Sequence, residues 1–278
     1  MNNFSTEWQK PERKAAFIQH ENEILQSTGS KQLLVGLHTC GDFAAIILRH
    51  FISNPEAKIL INLGCCYHKL NGGLDKLYRN VYDDVQAPTS HHGFPLSRKF
   101  RHFKLSYAAR ELACFGREQF LKRLDDSISQ EAFFVNCYRA ILEWIILGCP
   151  SSLNSPQNFD PILRHQGLRG VRGAERLTFW EYAEETLKEK PALRKHFNDM
   201  CESRPELKTE VLRIIETEST KLLLLYTLRL MVAPLIENVI LMDRQEFLRE
   251  NGCSAYLVPV FDSRISPRNI ALVSWKST

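Results

Sequence analysis

The chain lacks the sequence signatures of several large enzyme classes. Its 278 residues contain no Gly-x-Ser-x-Gly segment, no phosphate-binding loop ending in Lys-Ser or Lys-Thr, and no His-Glu-x-x-His. An acidic-x-Gly-x-Gly loop of the kind that binds nucleoside cofactors is also missing from the sequence. These absences argue against membership in the serine hydrolases, nucleoside triphosphatases and zinc peptidases that are built on such motifs.

Strong charge and a disulfide framework are missing too. The net charge of +4 is far from the dense Lys/Arg content of nucleic-acid-binding chains, so we expect no DNA partner. Eight cysteines in a chain of this length do not make a disulfide scaffold, and no signal peptide opens the sequence. We therefore expect an intracellular protein, cytoplasmic or nuclear, and the sequence leaves its oligomeric state open.

The longest apolar stretch extends from Leu222 to Met242 and includes Arg229, Pro234 and Glu237. These three residues argue against a membrane span, so we expect no membrane partner. A buried amphipathic helix, kinked at Pro234, is the simpler prediction.

Two short segments carry most of the chemistry. The first cassette is Leu33–Asp42 and the second cassette is Ile59–Leu70; each is an apolar run that ends in Gly, Cys and His. A helical pattern, Ala44–Phe51, lies between them, and Asp42 is a plausible N-cap. This order predicts two neighbouring parallel strands whose carboxyl ends open onto a ligand crevice.

The rest of the chain predicts a largely helical region followed by a hairpin. Two apolar runs near the C-terminus are joined by only Asp262–Arg268, which permits an antiparallel pair and forbids a parallel crossover. The predicted class is α/β: a polar segment, 1–30, and one domain, 31–278. Within that domain we place the parallel strands at 32–63, a helical insertion at about 103–217, and a long helix with the terminal hairpin at 221–275. The helical patterns are 107–124, 130–147, 178–187, 207–217 and 221–250.

The second cassette places an amide, Asn62, an aromatic ring, Tyr67, and an imidazole, His68, at a strand exit. Such a set can hold a planar base by hydrogen bonds and stacking. An ordinary half-buried aromatic at a strand end is the alternative for Tyr67.

The cysteines of the two cassettes allow three interpretations. Cys40, Cys65 and Cys66, with His68, offer four zinc donors, although their spacing is tighter than in usual structural zinc sites. Small thiols can instead pack beneath a ligand, or belong to an inert core. The preferred interpretation is packing at a site, with no residue assigned as a metal ligand.

Four arginines separated by glycines form a second candidate, residues 164–176. Arg169 and Arg172 in this loop are candidate phosphate-binding residues. A solvated basic loop is the alternative.

The sequence resembles the methyltransferase-like protein 25 and 25B family, one branch of which carries the label of a ribosomal RNA adenine dimethylase domain. The resemblance spans roughly residues 30–275. It rests on the following segments: Val35–Asp42, Gly64–Leu70, Gly93–Ser97, Arg110–Cys114, Tyr138–Glu143, Leu177–Phe179 and Ser266–Asn269.

The resemblance implies a class I S-adenosylmethionine-dependent methyltransferase: a seven-stranded, Rossmann-like sheet that ends in an antiparallel hairpin. It assigns the two cassettes to the fourth and fifth strands and implies RNA or protein as the methyl acceptor. The implied catalytic residues are His68, Tyr67 and Asn62, and the implied substrate-binding residues include Cys65 and Cys66. The residues implied to border the cofactor are His38, Cys40, Gly41 and Asp42.

The chain departs from the family upstream of the first cassette. Members of the family carry a glycine loop and an acidic strand end there, which hold the cofactor, and this sequence has neither. We therefore expect an incomplete sheet, corresponding to the C-terminal portion of a longer protein, that binds S-adenosylmethionine weakly or not at all. A non-catalytic module that binds a protein or RNA, and a Cys/His zinc-binding module, remain alternatives.

Overall fold

The computed structural model describes residues 29–71, 93–124, 127–148 and 171–276, together with Ala15, Ile18 and Ile24. The four strands are β1 (Gln32–Cys40), β2 (Ala57–Cys65), β3 (Cys253–Pro259) and β4 (Ile270–Lys276). The helices are α1 (Asp42–Ser53), α2 (Tyr107–Leu112), α3 (Arg117–Leu124), α4 (Ser127–Ile146), α5 (Phe179–Leu187), α6 (Pro191–Ser203) and α7 (Leu207–Glu250).

The four strands form one mixed sheet in the order β1-β2-β4-β3. β1 and β2 are parallel, and β4 is antiparallel to both β2 and β3. The parallel pair joined by a helix and the terminal hairpin are therefore confirmed. The mixed α/β architecture agrees with a partial Rossmann-like methyltransferase fold, as the resemblance implied.

One face of the sheet is buried because apolar side chains alternate along each strand. Leu34 of β1 pairs with Leu60 of β2, and both are buried beneath Phe51 of α1 and Leu248 of α7. Ala255 of β3 belongs to the same cluster. α1 and the C-terminal part of α7 thus cover this face.

The opposite face of the sheet is exposed and apolar. We call this surface the open face; it comprises Leu33, Val35, Leu37, Ile59, Tyr256 and Trp275. The rings of Tyr256 and Trp275 stack there with centroids 5.1 Å apart.

A second cluster of buried residues holds the helical part together. It joins α4, α5 and α6 to the first turns of α7 through Ile145, Tyr182, Phe197 and Val211. α7 has 44 residues, which corresponds to about 66 Å, and it connects this cluster to the sheet.

Several predicted helix boundaries are wrong. The predicted helix 107–124 is two helices, α2 and α3, separated at residues 113–116, and α6 was not predicted. The predicted break between 217 and 221 falls inside α7, which continues through Pro234 as one helix. Local periodicity did not reveal these differences, because packing against the sheet and the helical cluster extends and divides the helices.

The apolar stretch in α7 is helical but was wrongly predicted to be buried. Only 17% of its most apolar window is buried, and this helix is long and apolar enough by composition to cross a membrane. The exposed side chains are Leu224, Leu225, Leu228, Met231, Val232 and Leu235. Within this stretch only Leu230, Ala233, Ile240 and Leu241 are buried.

Candidate functional site

The carboxyl ends of β1 and β2 lie side by side and bring the two cassettes together. A β-bulge shifts the register between Leu37 and Thr39, so that Cys40 pairs with Cys65. The extra residue, His38, has a φ of 56° and an exposed side chain. Bulges of this kind redirect side chains next to functional sites.

Asp42 joins three segments of the site. It is the first residue of α1, and Gly41 is the N-cap, so the predicted N-cap was one residue off. The Asp42 carboxylate accepts a hydrogen bond from the backbone N–H of Asn71 at 2.8 Å, and the Asn71 side-chain oxygen accepts one from Phe94 N–H at 3.0 Å. Gly93 packs so closely on the carboxylate that a Cβ there would overlap it. The segment 93–97 is thereby held against both cassettes.

Asn62 is buried between the strand ends. Its amide donates a hydrogen bond to the Thr39 hydroxyl at 3.1 Å, and that hydroxyl donates to the Leu63 carbonyl at 3.2 Å. Only 2% of Asn62 is exposed, so its amide connects β1 to β2. This geometry suits a positioning role for Asn62, and its catalytic role stays a prediction.

Tyr67 lies in a buried charged network rather than at a surface. Its hydroxyl donates to Glu237 at 2.9 Å, and Arg268 binds the same carboxylate oxygen at 2.6 Å. The guanidinium carbons of Arg268 and Arg244 lie 5.2 and 5.5 Å from the ring centroid. With 1% of Tyr67 exposed, its ring faces protein cations, so stacking on a substrate base would require these residues to move.

Burial dominates the electrostatics of this network. It raises the pKa of the Tyr67 hydroxyl and of the Glu237 carboxyl, although Arg268 opposes the shift at Glu237. It lowers the pKa of the Arg244 guanidinium.

The two histidines of the cassettes differ in environment. His68 is half-buried: its Nδ1 lies 3.4 Å from the Cys114 sulfur, and its ring meets Tyr107 edge-on at 6.3 Å. His38 is exposed at the bulge. Either imidazole could act as a base, but only His38 stands in open solvent.

The thiols of the cassettes form a compact group. The sulfurs of Cys40 and Cys65 are 3.1 Å apart, and those of Cys40, Cys65 and Cys66 all lie within 4.8 Å of one another. Burial, and then the neighbouring Cys40, raises the pKa of both the Cys65 and the Cys66 thiol.

The segment after Ser97 is basic and exposed beside the site. The Asp243 carboxylate accepts hydrogen bonds from Leu96 N–H at 2.8 Å, and from Ser97 N–H at 2.9 Å and its hydroxyl at 2.8 Å. The following residues, Arg98–Lys104, carry exposed cations and a half-exposed Phe103, and we call them the basic segment. Glu250, at the end of α7, accepts hydrogen bonds from the backbone N–H groups of Arg98 and Lys99, the first two residues of the basic segment.

Arg172 lies away from the cassettes. It is exposed in an open groove of about 670 Å³, next to α5. The other charged residues lining this groove are Glu181, Glu184, Glu185, Glu189 and Lys190. The four carboxylates oppose the phosphate binding predicted for Arg172, and Arg169 lies outside the described residues.

Sequence reasoning missed the buried charges that surround Tyr67: Glu237, Arg244 and Arg268. A signal was available in α7, where Glu237 and the pair Asp243-Arg244 interrupt an apolar helix. Such residues are rarely fully buried unless they are paired, so they indicate a polar core beneath a site.

The residues predicted to border the cofactor do not by themselves fit S-adenosylmethionine. The cofactor requires available backbone N–H groups and a carboxylate for its ribose. In the described part of the site these groups already have partners within the protein. The Gly41 N–H donates a hydrogen bond to the Cys65 carbonyl, and an Asp42 carboxylate oxygen accepts one from the Asn71 N–H.

Comparisons with known proteins show similarity to methyltransferases. A family model described as a methyltransferase domain matches residues 2–73, a range that includes both cassettes. The mouse (Mus musculus) and human (Homo sapiens) proteins named "Probable methyltransferase-like protein 25" are both 29% identical to this chain over 248 residues. No solved structure matches the chain.

These matches confirm the resemblance predicted from the sequence: the chain is similar to methyltransferase-like protein 25. The alignment with these proteins covers 88% of this chain and 37% of each relative.

Proposed function

We propose that the site at the carboxyl ends of β1 and β2 is the acceptor side of an S-adenosylmethionine-dependent RNA methyltransferase. The observation that carries the proposal is the convergence of both cassettes with the segment 93–97 around Asp42. Carboxyl ends of parallel strands are where open α/β sheets bind their ligands. The match to a methyltransferase domain gives the reaction class.

RNA is favoured as the acceptor by the basic segment. Arg101, His102 and Lys104 are exposed there, and 49% of Phe103 is exposed. Exposed cations beside an exposed aromatic ring can bind phosphates and stack a base of single-stranded RNA. The carboxylates of Asp243 and Glu250 accept hydrogen bonds from the backbone N–H groups of Ser97 and Lys99, and these bonds hold the start of this segment in place.

Methyl transfer to a ring nitrogen or a ribose hydroxyl requires alignment of the acceptor and, for a hydroxyl, a base. His38 or His68 would accept the proton in this proposal. The network around Tyr67 would fix the second cassette in place rather than contact RNA.

The first experiment measures RNA binding. Titration of the chain with single-stranded RNA at several salt concentrations should give an affinity that falls with salt. Arg101→Glu and Lys104→Glu should each weaken binding about tenfold or more, whereas Lys195→Glu, on the exposed side of α6, should not. If all three variants bind RNA with the same affinity, the basic segment is not the RNA-binding surface.

The second experiment measures methyl transfer from tritiated S-adenosylmethionine, at millimolar concentration because we expect weak cofactor binding. Incorporation into RNA should fall in His38→Ala or His68→Ala and persist in His196→Ala, an exposed histidine of the helical cluster. Incorporation into protein instead of RNA would contradict the acceptor. No incorporation, with no cofactor binding by calorimetry, would contradict catalysis by this chain and favour the non-catalytic alternative.

A further inference from the structure

Three cysteine thiols converge where β1 and β2 end, and we call Cys40, Cys65 and Cys66 the thiol cluster. Its sulfurs lie within 4.8 Å of one another. Cys65 is buried, and Cys40 and Cys66 are half-buried. Within the described ranges, no other set of three His, Cys, Asp or Glu side chains is grouped this closely.

Two backbone irregularities assemble the cluster. Without the bulge at His38, continuation of the register would pair Thr39 with Cys65 and turn the Cys40 side chain away from it. Cys66 adopts a left-handed conformation, with φ 51° and ψ 52°. Non-glycine residues rarely adopt this conformation, and those that do concentrate at functional sites.

The donor set defines the kind of ion. The cluster offers sulfur and no carboxylate oxygen, which excludes a site built for Mg²⁺ or Ca²⁺ and suits a thiophilic ion. Sulfurs that share one zinc at a Zn–S distance of about 2.3 Å lie about 3.8 Å apart. The sulfurs of the thiol cluster already lie near that separation, so small side-chain rotations would suffice.

We propose that Cys40, Cys65 and Cys66 bind one Zn²⁺ through three thiolate sulfurs. Binding exchanges the three thiol protons for the ion, so three protons are released and the zinc–thiolate unit carries one negative charge. The fourth position is filled by a water molecule or by an incoming ligand, as in zinc sites with three protein ligands. His68 does not belong to this close group, so we do not assign it as the fourth ligand.

Three converging sulfurs indicate a metal site rather than a disulfide, which needs only two. A disulfide between Cys40 and Cys65 would use two thiols and leave Cys66 without a role. All three are free thiols, and Cys40 and Cys65 lie 3.1 Å apart, well beyond a bonded S–S distance of about 2.05 Å. Zinc binding does not depend on the proposed methyl transfer, and each can be tested without the other.

The experiment uses the full chain, purified under reducing conditions and depleted of metal by a chelator. Titration with Co²⁺ should produce sulfur-to-cobalt charge-transfer absorption that saturates at one equivalent and is abolished by Zn²⁺. The release of protons should make binding tighter as the pH rises. The protein as purified should also contain close to one equivalent of zinc by elemental analysis.

Cys40→Ser and Cys66→Ser should each weaken Co²⁺ binding at least about tenfold, since even indirect ligand contacts have that effect. Cys201→Ser, a half-buried thiol in α6, is the matched control and should bind as the wild type does. Far less than one equivalent of metal in the wild-type protein would overturn the proposal, whatever the variants do. A Cys40–Cys65 disulfide in the protein purified without reductant, together with no Co²⁺ absorption, would overturn it as well.

Discussion

Arg244 packs against the ring of Tyr67, with its guanidinium carbon 5.5 Å from the ring centroid. Only 1% of Arg244 is exposed, and no described residue accepts a hydrogen bond from its three side-chain nitrogens. Gly64 lies directly beneath one of these nitrogens, where a Cβ would overlap it. A buried cation of this kind is stabilised by the ring and by nearby carboxylates such as Asp243.

Gly64→Ala should destabilise the protein because the added methyl group must displace the Arg244 guanidinium. We expect a loss of about 1–3 kcal/mol in the free energy of unfolding, measured by urea denaturation. In an Arg244→Met background, the same change should cost at least about 0.5 kcal/mol less, since methionine adapts to the space. Equal costs in both backgrounds would show that the two residues are not coupled.

Glu237 should give the stability a recognisable pH dependence. Burial raises its pKa above the usual value, although Arg268 opposes the shift, so the folded protein holds this proton more tightly than the unfolded chain does. Stability contributed by this carboxyl therefore falls as the pH rises from about 4.3, its ordinary pKa, through the folded-state pKa.

Glu237→Gln removes that titration. Urea denaturation from about pH 4 to neutrality should show the wild type losing stability relative to this variant as the pH rises. Glu184→Gln, at an exposed position of α5, serves as the control and should follow the wild type. A difference between wild type and Glu237→Gln that does not change with pH would contradict the prediction.

Thr178 should stabilise α5 as its N-cap. Its hydroxyl accepts a hydrogen bond from the Glu181 N–H, and the Glu181 side chain accepts one from the Thr178 N–H, which completes a capping box. Thr178→Ala should cost about 1 kcal/mol in the free energy of unfolding. Thr217→Ala, at an exposed position inside α7, should be neutral or slightly stabilising because alanine favours helix interiors. Equal effects of the two substitutions would contradict the capping role.

Two leucines of β1 should differ in how much their replacement by alanine destabilises the protein. Leu34 is 7% exposed in the sheet core, and Leu37 is 63% exposed on the open face. We expect Leu34→Ala to cost about 2–5 kcal/mol and Leu37→Ala to change the free energy of unfolding by less than about 0.5 kcal/mol. Urea denaturation of both variants tests this difference. A comparable loss in Leu37→Ala would mean that other parts of the chain cover the open face.

The strand–helix–strand unit and the terminal hairpin could be predicted because their signals are local. The apolar runs that end in Gly and Cys, and the short link Asp262–Arg268, limit the possible connections. The helix boundaries within 107–124 and 207–250 could not be predicted, since contacts with distant elements decide where those helices continue.

The candidate site was only partly predictable. The sequence placed Cys40, Cys65 and Cys66 at one edge of the sheet, because parallel strands end on the same side. It did not indicate that Asn62 and Tyr67 are buried, since a residue at a strand exit can face solvent or protein.

By itself, the sequence determined the resemblance to a methyltransferase-like family, the α/β class and the edge of the sheet that carries the candidate site, because these follow from local patterns. Only the tertiary structure decided which polar groups meet. Tyr67 binds Glu237, 170 positions away, and a single bulge at His38 brings Cys40 opposite Cys65. Such pairings depend on register and burial, which arise when distant segments pack together.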